Sequence, residues 1–197
     1  MMSNLYVTNP FDASPLGKVK LSSESEVDAA LAIAERTHRN NKKGLPKYER
    51  AAILKKAVEI MKSRATELAL LIASEGGKPL IDAKVEVERA IDGVETCASE
   101  IANNSGSEIP MELTPAGEGK MAFTIKEPIG PVVAISAFNH PLNLIVHQVG
   151  PAVAAGNPVI VKPADDTPLC CEAFIQILHQ AGLAPEWAQF ICCDVSV

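Results

Sequence analysis

The sequence has 197 residues, 47% of them hydrophobic and 21% charged, the mix of a globular chain long enough for one large core. The net charge is -6 with no basic block, which argues against nucleic acid or an anionic membrane surface as a partner. No apolar run reaches the roughly 18 residues of a membrane span, and residues 1–10 lack a charged-then-apolar signal pattern, so a cytoplasmic location is expected.

The first part of the chain reads as helical. Ser23 to Glu26 has the capping-box form Ser-x-x-Glu, and Val27, Ala30, Leu31 and Ala34 follow on one helix face. A polar break over residues 40–44 ends that helix, and Pro46 suits the first turn of the next. A stripe of Ile53, Leu54, Val58, Ile60, Met61, Leu68 and Leu71 predicts one long helix stopped by Gly76-Gly77. A third helix is expected over residues 79–103, with Ile81, Val85, Ala90, Ile91 and Val94 on its apolar face. Residues 106–119 are rich in Gly, Pro and Glu, and residues 121–125 read as a short strand, so an extended ribbon or hairpin is expected there.

From Gly130 the pattern alternates. Residues 131–137 (PVVAISA), 159–161 and 189–193 (QFICC) read as strands; residues 141–155, and a segment from Thr167-Pro168 to Gly182, read as helices. This order predicts an α/β fold with a Rossmann-like parallel sheet, preceded by helices and a ribbon. The expected divisions are 1–105 (helical), 106–127 (a ribbon) and 128–197 (a βαβαβ segment of the kind that binds nucleotides). Ligands of such sheets sit at the carboxyl ends of the strands, where this sequence places Ser136 to Pro141 and Lys162 to Pro168.

Residues 127–168, EPIGPVVAISAFNHPLNLIVHQVGPAVAAGNPVIVKPADDTP, resemble the aldehyde dehydrogenase superfamily, whose pattern there runs E-P-x-G-V-V, aromatic-Asn-x-Pro, P-A-L-A-x-G-N and V-x-K-P. The resemblance extends to Thr8-Asn9-Pro10, to Glu75-Gly76-Gly77-Lys78 (the family's E-x-G-K) and to Ala181-Gly182-Leu183-Ala184-Pro185. It implies oxidation of an aldehyde to a carboxylic acid through a cysteine thioester, with NAD as cofactor and NADP as the other candidate. It also implies a small-molecule aldehyde substrate and a homo-oligomer. Asn139 matches the asparagine whose amide meets the oxyanion; from its residue type alone it could equally shape the turn before Pro141. Lys162 matches the lysine that bonds the adenosine ribose, against the alternative of a solvated lysine at a strand end. Asp165 stands where many members carry glutamate; a carboxylate there would accept from ribose hydroxyls, while Asp165 and Asp166 also compete as caps of the next helix. Ile135, Ser136, Ala137 and Phe138 match the strand end whose backbone lines the nicotinamide side, and Ala164 belongs to the same cofactor rim. His140, Leu142 and Asn143 are candidates for the substrate channel.

The resemblance places the family's nucleophilic cysteine, glycine-rich cofactor turn and glutamate base downstream of Val197, so this chain by itself is expected to be inactive. None of its five cysteines matches the nucleophile's motif. No metal site is expected: the histidines lack ligand spacing, and Cys170-Cys171 and Cys192-Cys193 diverge on any helix or strand. The rival reading is a non-catalytic fragment that binds nucleotide or joins an assembly.

Overall fold

A computed structural model describes residues 4–40 and 44–197. The polar break expected over residues 40–44 lies mostly outside them. The protein is α/β: among the described residues, six helices surround a three-stranded parallel sheet, with two small antiparallel hairpins at the periphery.

The chain opens on a hairpin that the helical reading of residues 1–105 did not anticipate. Strands β1 (Asn4–Thr8) and β2 (Pro15–Lys20) pair antiparallel, burying Val7 and Val19. Helix α1 (Glu24–Asn40) follows the expected capping box, the Ser23 N–H donating to the Glu26 carboxylate at 2.9 Å. The long second helix is in fact two. α2 (Lys47–Ser63) ends at Arg64, whose backbone departs from helical geometry, and α3 (Ala65–Gly76) begins at once and stops at Gly77 in the left-handed region. An unbroken apolar stripe hides such a break because both helices bury the same face.

Helix α4 (Leu80–Asn103) buries Ala83, Glu86, Val87, Ala90, Ile91 and Val94. Ile81 and Val85, expected on that face, are 72% and 41% exposed. The face is therefore rotated from the one first read and includes a glutamate. The ribbon is real but brief: β3 (Glu108–Ile109) pairs with β4 (Ala122–Phe123), shorter than the strand expected over residues 121–125.

The sheet holds β5 (Val132–Ile135), β6 (Val159–Lys162) and β7 (Ala188–Phe190), all parallel in the order 5-6-7. The last strand starts and ends earlier than the one expected over residues 189–193. Helices α5 (Asn143–Ala155) and α6 (Pro168–Gln180) are the crossovers. α5 ends at Gly156 with φ 86°; an added Cβ there would lie 2.6 Å from Arg50, whose guanidinium caps the helix by donating to the Ala154 carbonyl at 2.6 Å. One apolar cluster runs from α2 through α4, α5 and α6 to the sheet, with Leu54, Met61, Leu142, Ile145 and Phe174 fully enclosed. α1 covers the other side of β6 through Ala30, Ala34 and Ile160. No helix among the described residues is long and apolar enough to cross a membrane.

Candidate active site

The parallel register sets Ile135 opposite Lys162, and the Ser136 N–H extends the ladder to the Lys162 carbonyl at 2.9 Å. The carboxyl ends of β5 and β6 therefore open side by side. After β5 the chain runs exposed through Ala137, Phe138 and Asn139, while Ser136 turns inward. Ile135 and Phe138 are 66% and 61% exposed, large apolar groups left at a ligand rim.

At the end of β6, Lys162 and Asp165 meet. The ammonium donates to the Asp165 carboxylate at 2.7 Å and to the Pro163 carbonyl at 3.2 Å. Ala164 lies half-buried between them, and Asp166 is exposed. Asp165 is thus an ion-pair partner, and neither it nor Asp166 caps α6, which has no side-chain cap from its own N-terminal residues. That work falls to Glu75, from the end of α3. Its carboxylate accepts from the Leu169 and Cys170 N–H groups at 2.5 and 3.0 Å. Burial pushes the Glu75 carboxyl above the usual carboxylate range, and the two N–H donors oppose that only in part.

Glu86 does the same for α5. It is 2% exposed, and one oxygen accepts from Leu142 N–H at 3.0 Å and Asn143 N–H at 3.1 Å. The other oxygen is ion-paired to Lys78 and lies 3.3 Å from His140 Nδ1. The Lys78 ammonium also donates to the Asn139 carbonyl at 2.7 Å and sits 3.0 Å from His140 Nδ1. The Asn139 side chain itself makes no hydrogen bond among the described residues.

Sequence reasoning missed Glu75, Lys78 and Glu86 as parts of the site. A signal existed for Glu86, which sits at helical spacing within Ala83, Val87 and Ala90 on an otherwise apolar stripe. Of the channel candidates, Leu142 is fully buried and lines nothing open, because it anchors the start of α5 in the core. His140 packs on the Lys78–Glu86 pair. Asn143 does border open space, a groove of about 610 Å³ between α4 and α5 whose walls include Arg89, Asp92, Cys97 and His147. The groove is narrow-walled because the helices nearly touch: a Cβ on Gly150 would stand 3.0 Å from Cys97 Sγ. Arg89 is exposed and makes no ion pair among the described residues.

Burial raises the thiols of Cys97, Cys170 and Cys192, and pushes that of Cys171 up to about 12. Among the described residues no three His, Cys, Asp or Glu side chains are grouped to hold a metal ion.

Three known proteins frame this geometry. 3-Sulfolactaldehyde dehydrogenase of Priestia aryabhattai is 38% identical over 188 residues, covering 95% of this chain and 39% of that protein. The crystal structure of an aldehyde dehydrogenase from Physcomitrella patens, in complex with the reaction product succinate, superposes with a TM-score of 0.94 at 34% identity, covering 99% of this chain and 40% of that one. Glyceraldehyde-3-phosphate dehydrogenase of Methanocaldococcus jannaschii, complexed with NADP, gives a TM-score of 0.91 at 30% identity, covering 100% and 42%. The chain thus spans about two-fifths of the length of the proteins it matches. Residues 2–196, nearly the whole sequence, match the aldehyde dehydrogenase family, and the chain belongs to that family.

Proposed function

We propose that this chain forms the cofactor rim and the oxyanion-binding asparagine of an NAD(P)-dependent enzyme that oxidises an aldehyde to a carboxylic acid. The observation that carries the reading is the juxtaposition, at one sheet rim, of an exposed and unengaged Asn139 amide with the Lys162–Asp165 pair. The rim fits a dinucleotide. It offers an ammonium and a carboxylate for ribose hydroxyls, and the exposed residues Ile135, Ala137 and Phe138 together with half-buried Ala164 for the remainder. When bound, the nicotinamide supplies the acceptor for hydride. Lys162 would hold a ribose hydroxyl as donor, Asp165 would accept from one, and the Asn139 amide would donate to the substrate oxygen as it gains negative charge. In this reading the activity belongs to a complete enzyme in which this chain is the N-terminal part. It works in the cytoplasm, in keeping with five free cysteines.

The test of the cofactor assignment is Asp165→Ser in the complete enzyme. A carboxylate near a 2'-phosphate is repelled by about 1 to 4 kcal/mol at 4 Å. Lys162 neutralises part of that charge, so the expected NAD preference is modest and the variant shifts the kcat/KM ratio toward NADP by about tenfold. An unchanged ratio removes Asp165 from cofactor choice. Failure of the wild-type enzyme to reduce either cofactor with any aldehyde refutes the whole reading.

The substrate is assigned to aldehydes with an acidic far end. The names of the three proteins above carry a sulfonate, a dicarboxylate product and a phosphate, and Arg89 offers an unpaired guanidinium on the groove beside Asn143. Charge-assisted hydrogen bonds of about 1.5–3 kcal/mol would favour an acidic aldehyde over an uncharged one of equal length. Arg89→Gln is expected to lower that kcat/KM preference by about 10- to 100-fold; a preference that survives places the anion elsewhere.

Assembly is proposed through the ribbon. Leu113, Met121, Phe123 and Ile125 are 69–86% exposed there, a cluster of apolar groups rare on a lone surface. Sedimentation of the enzyme should give a dimer or larger species, and a monomer at tens of micromolar refutes this.

A further inference from the structure

Among the described residues, every side-chain hydrogen bond that the Lys78–Glu86 pair makes outside itself falls on residues 139–143. Lys78 donates to the Asn139 carbonyl and meets the His140 ring; Glu86 accepts the N–H groups of Leu142 and Asn143 and also meets His140. The one residue skipped, Pro141, has no N–H, and its carbonyl accepts from Cys171 Sγ at 3.7 Å. A buried ion pair present only for packing could be completed by any donors and acceptors nearby. This one is completed by four of five consecutive residues.

We propose that Lys78 and Glu86 are positioning residues for Asn139, fixing the backbone of residues 139–143 and through it the aim of the Asn139 amide. The inference rests on the role proposed above for Asn139. The physical need is plain. The amide must be free of protein partners to serve a substrate oxygen, so its direction must come from the backbone. The Asn139 backbone lies beyond the last ladder bond of β5, where, among the described residues, Lys78 alone holds its carbonyl. The Lys78 side chain is 15% exposed and that of Glu86 1%, so water competes little for either. Glu75 provides an internal comparison. It also holds a helix N-terminus, through Leu169 and Cys170, but among the described residues it has no lysine partner and no hydrogen bond to residues 139–143.

The experiment is nitrogen-15 relaxation on the 197-residue chain, which reports order without requiring turnover. Wild-type amides of Asn139, His140 and Asn143 are expected to match rigid backbone, with order parameters of about 0.85. In the charge-neutral pair Lys78→Met with Glu86→Gln they should fall below about 0.6, while β6 stays rigid. Glu75→Gln should lower the melting temperature without touching that order. A folded neutral pair whose residues 139–143 remain rigid overturns the proposal. Should the neutral pair not fold, Lys78→Arg keeps the charge against Glu86, but its planar fork cannot serve both Asn139 and His140 from the same place. It should disturb the 139–140 amides selectively, and undisturbed amides overturn the proposal. In the complete enzyme both variants should lower kcat by about 10- to 100-fold with cofactor KM within about twofold, Lys78→Arg less severely. An enzyme that oxidises no aldehyde refutes the function proposed for Asn139, and the relaxation result still decides the positioning.

Discussion

Expressed by itself, the 197-residue chain is expected to oxidise no aldehyde. The thiols it possesses are the reason. Attack on a carbonyl needs a thiolate that can reach the substrate. Cys171 is the cysteine placed beneath the Asn139 loop, and it is fully buried with its thiol pushed up to about 12. Burial disfavours its thiolate, the form that attacks a carbonyl. Cys170 faces Glu75, whose charge adds to a thiol already raised by burial. Cys97 lies in the α4–α5 groove with its thiol raised as well. Cys192 and Cys193 follow β7, two strands across from β5, or about 10 Å. The thiols of Cys97, Cys170, Cys171 and Cys192 are all raised by burial, and Cys193 lies across the sheet from the Asn139 loop. The assay is steady-state reduction of NAD and NADP with a panel of small aldehydes, acidic ones included. Turnover lost on replacing one of the five cysteines by serine would overturn the expectation. Cofactor binding without turnover would fit a rim that works only within a larger enzyme.

Much of this architecture was legible in the sequence because its signals are local. The apolar run PVVAISA holds the strand Val132–Ile135, shorter at both ends than the run itself, and the alternation after Gly130 leaves few topologies open. The carboxyl rim followed directly, since parallel strands must end on the same side. The N-terminal hairpin was not legible. NLYVT and PLGKVK each bury a single valine, contain Pro15 and Gly17, and turn through Ala13 at φ 58° rather than through an Asn-Gly pair. The hairpin exists through tertiary packing: a Cβ on Gly17 would meet Leu169 of α6 at 3.3 Å. The break at Arg64 was hidden because helical periodicity resumes in phase after it. Asn139, Lys162 and Asp165 were singled out through their place in the pattern, whereas the part Glu75 and Glu86 play at the helix starts was not read from it. A charge on a helix is usually solvated, and only the fold reveals the two that are spent on the N–H groups of neighbouring helices.

Replacing Asn139 by alanine is expected to lower kcat of the complete enzyme by about 100- to 1000-fold, the cost of removing one preorganised donor from an oxyanion site. The loss should fall on kcat more than on KM. A neutral carbonyl accepts a weak hydrogen bond, and the bond strengthens only as charge moves to oxygen in the transition state. Stability should change little. The side chain is exposed and bonded to nothing among the described residues, so its removal opens no cavity and strands no buried partner. The backbone contact to Lys78 uses the Asn139 carbonyl, which alanine retains. This separates the amide's chemistry from the loop's architecture: Asn139→Ala should keep residues 139–143 rigid and lose the rate, whereas loosening Lys78 and Glu86 should lose both. Asn139→Asp sharpens the test. It preserves the shape of the side chain but sets a carboxylate against developing negative charge, so it should be at least as slow as alanine. Melting temperature, kcat and aldehyde KM on the three proteins decide the matter, and an Asn139→Ala enzyme within about threefold of wild type would return Asn139 to the role of a turn residue before Pro141.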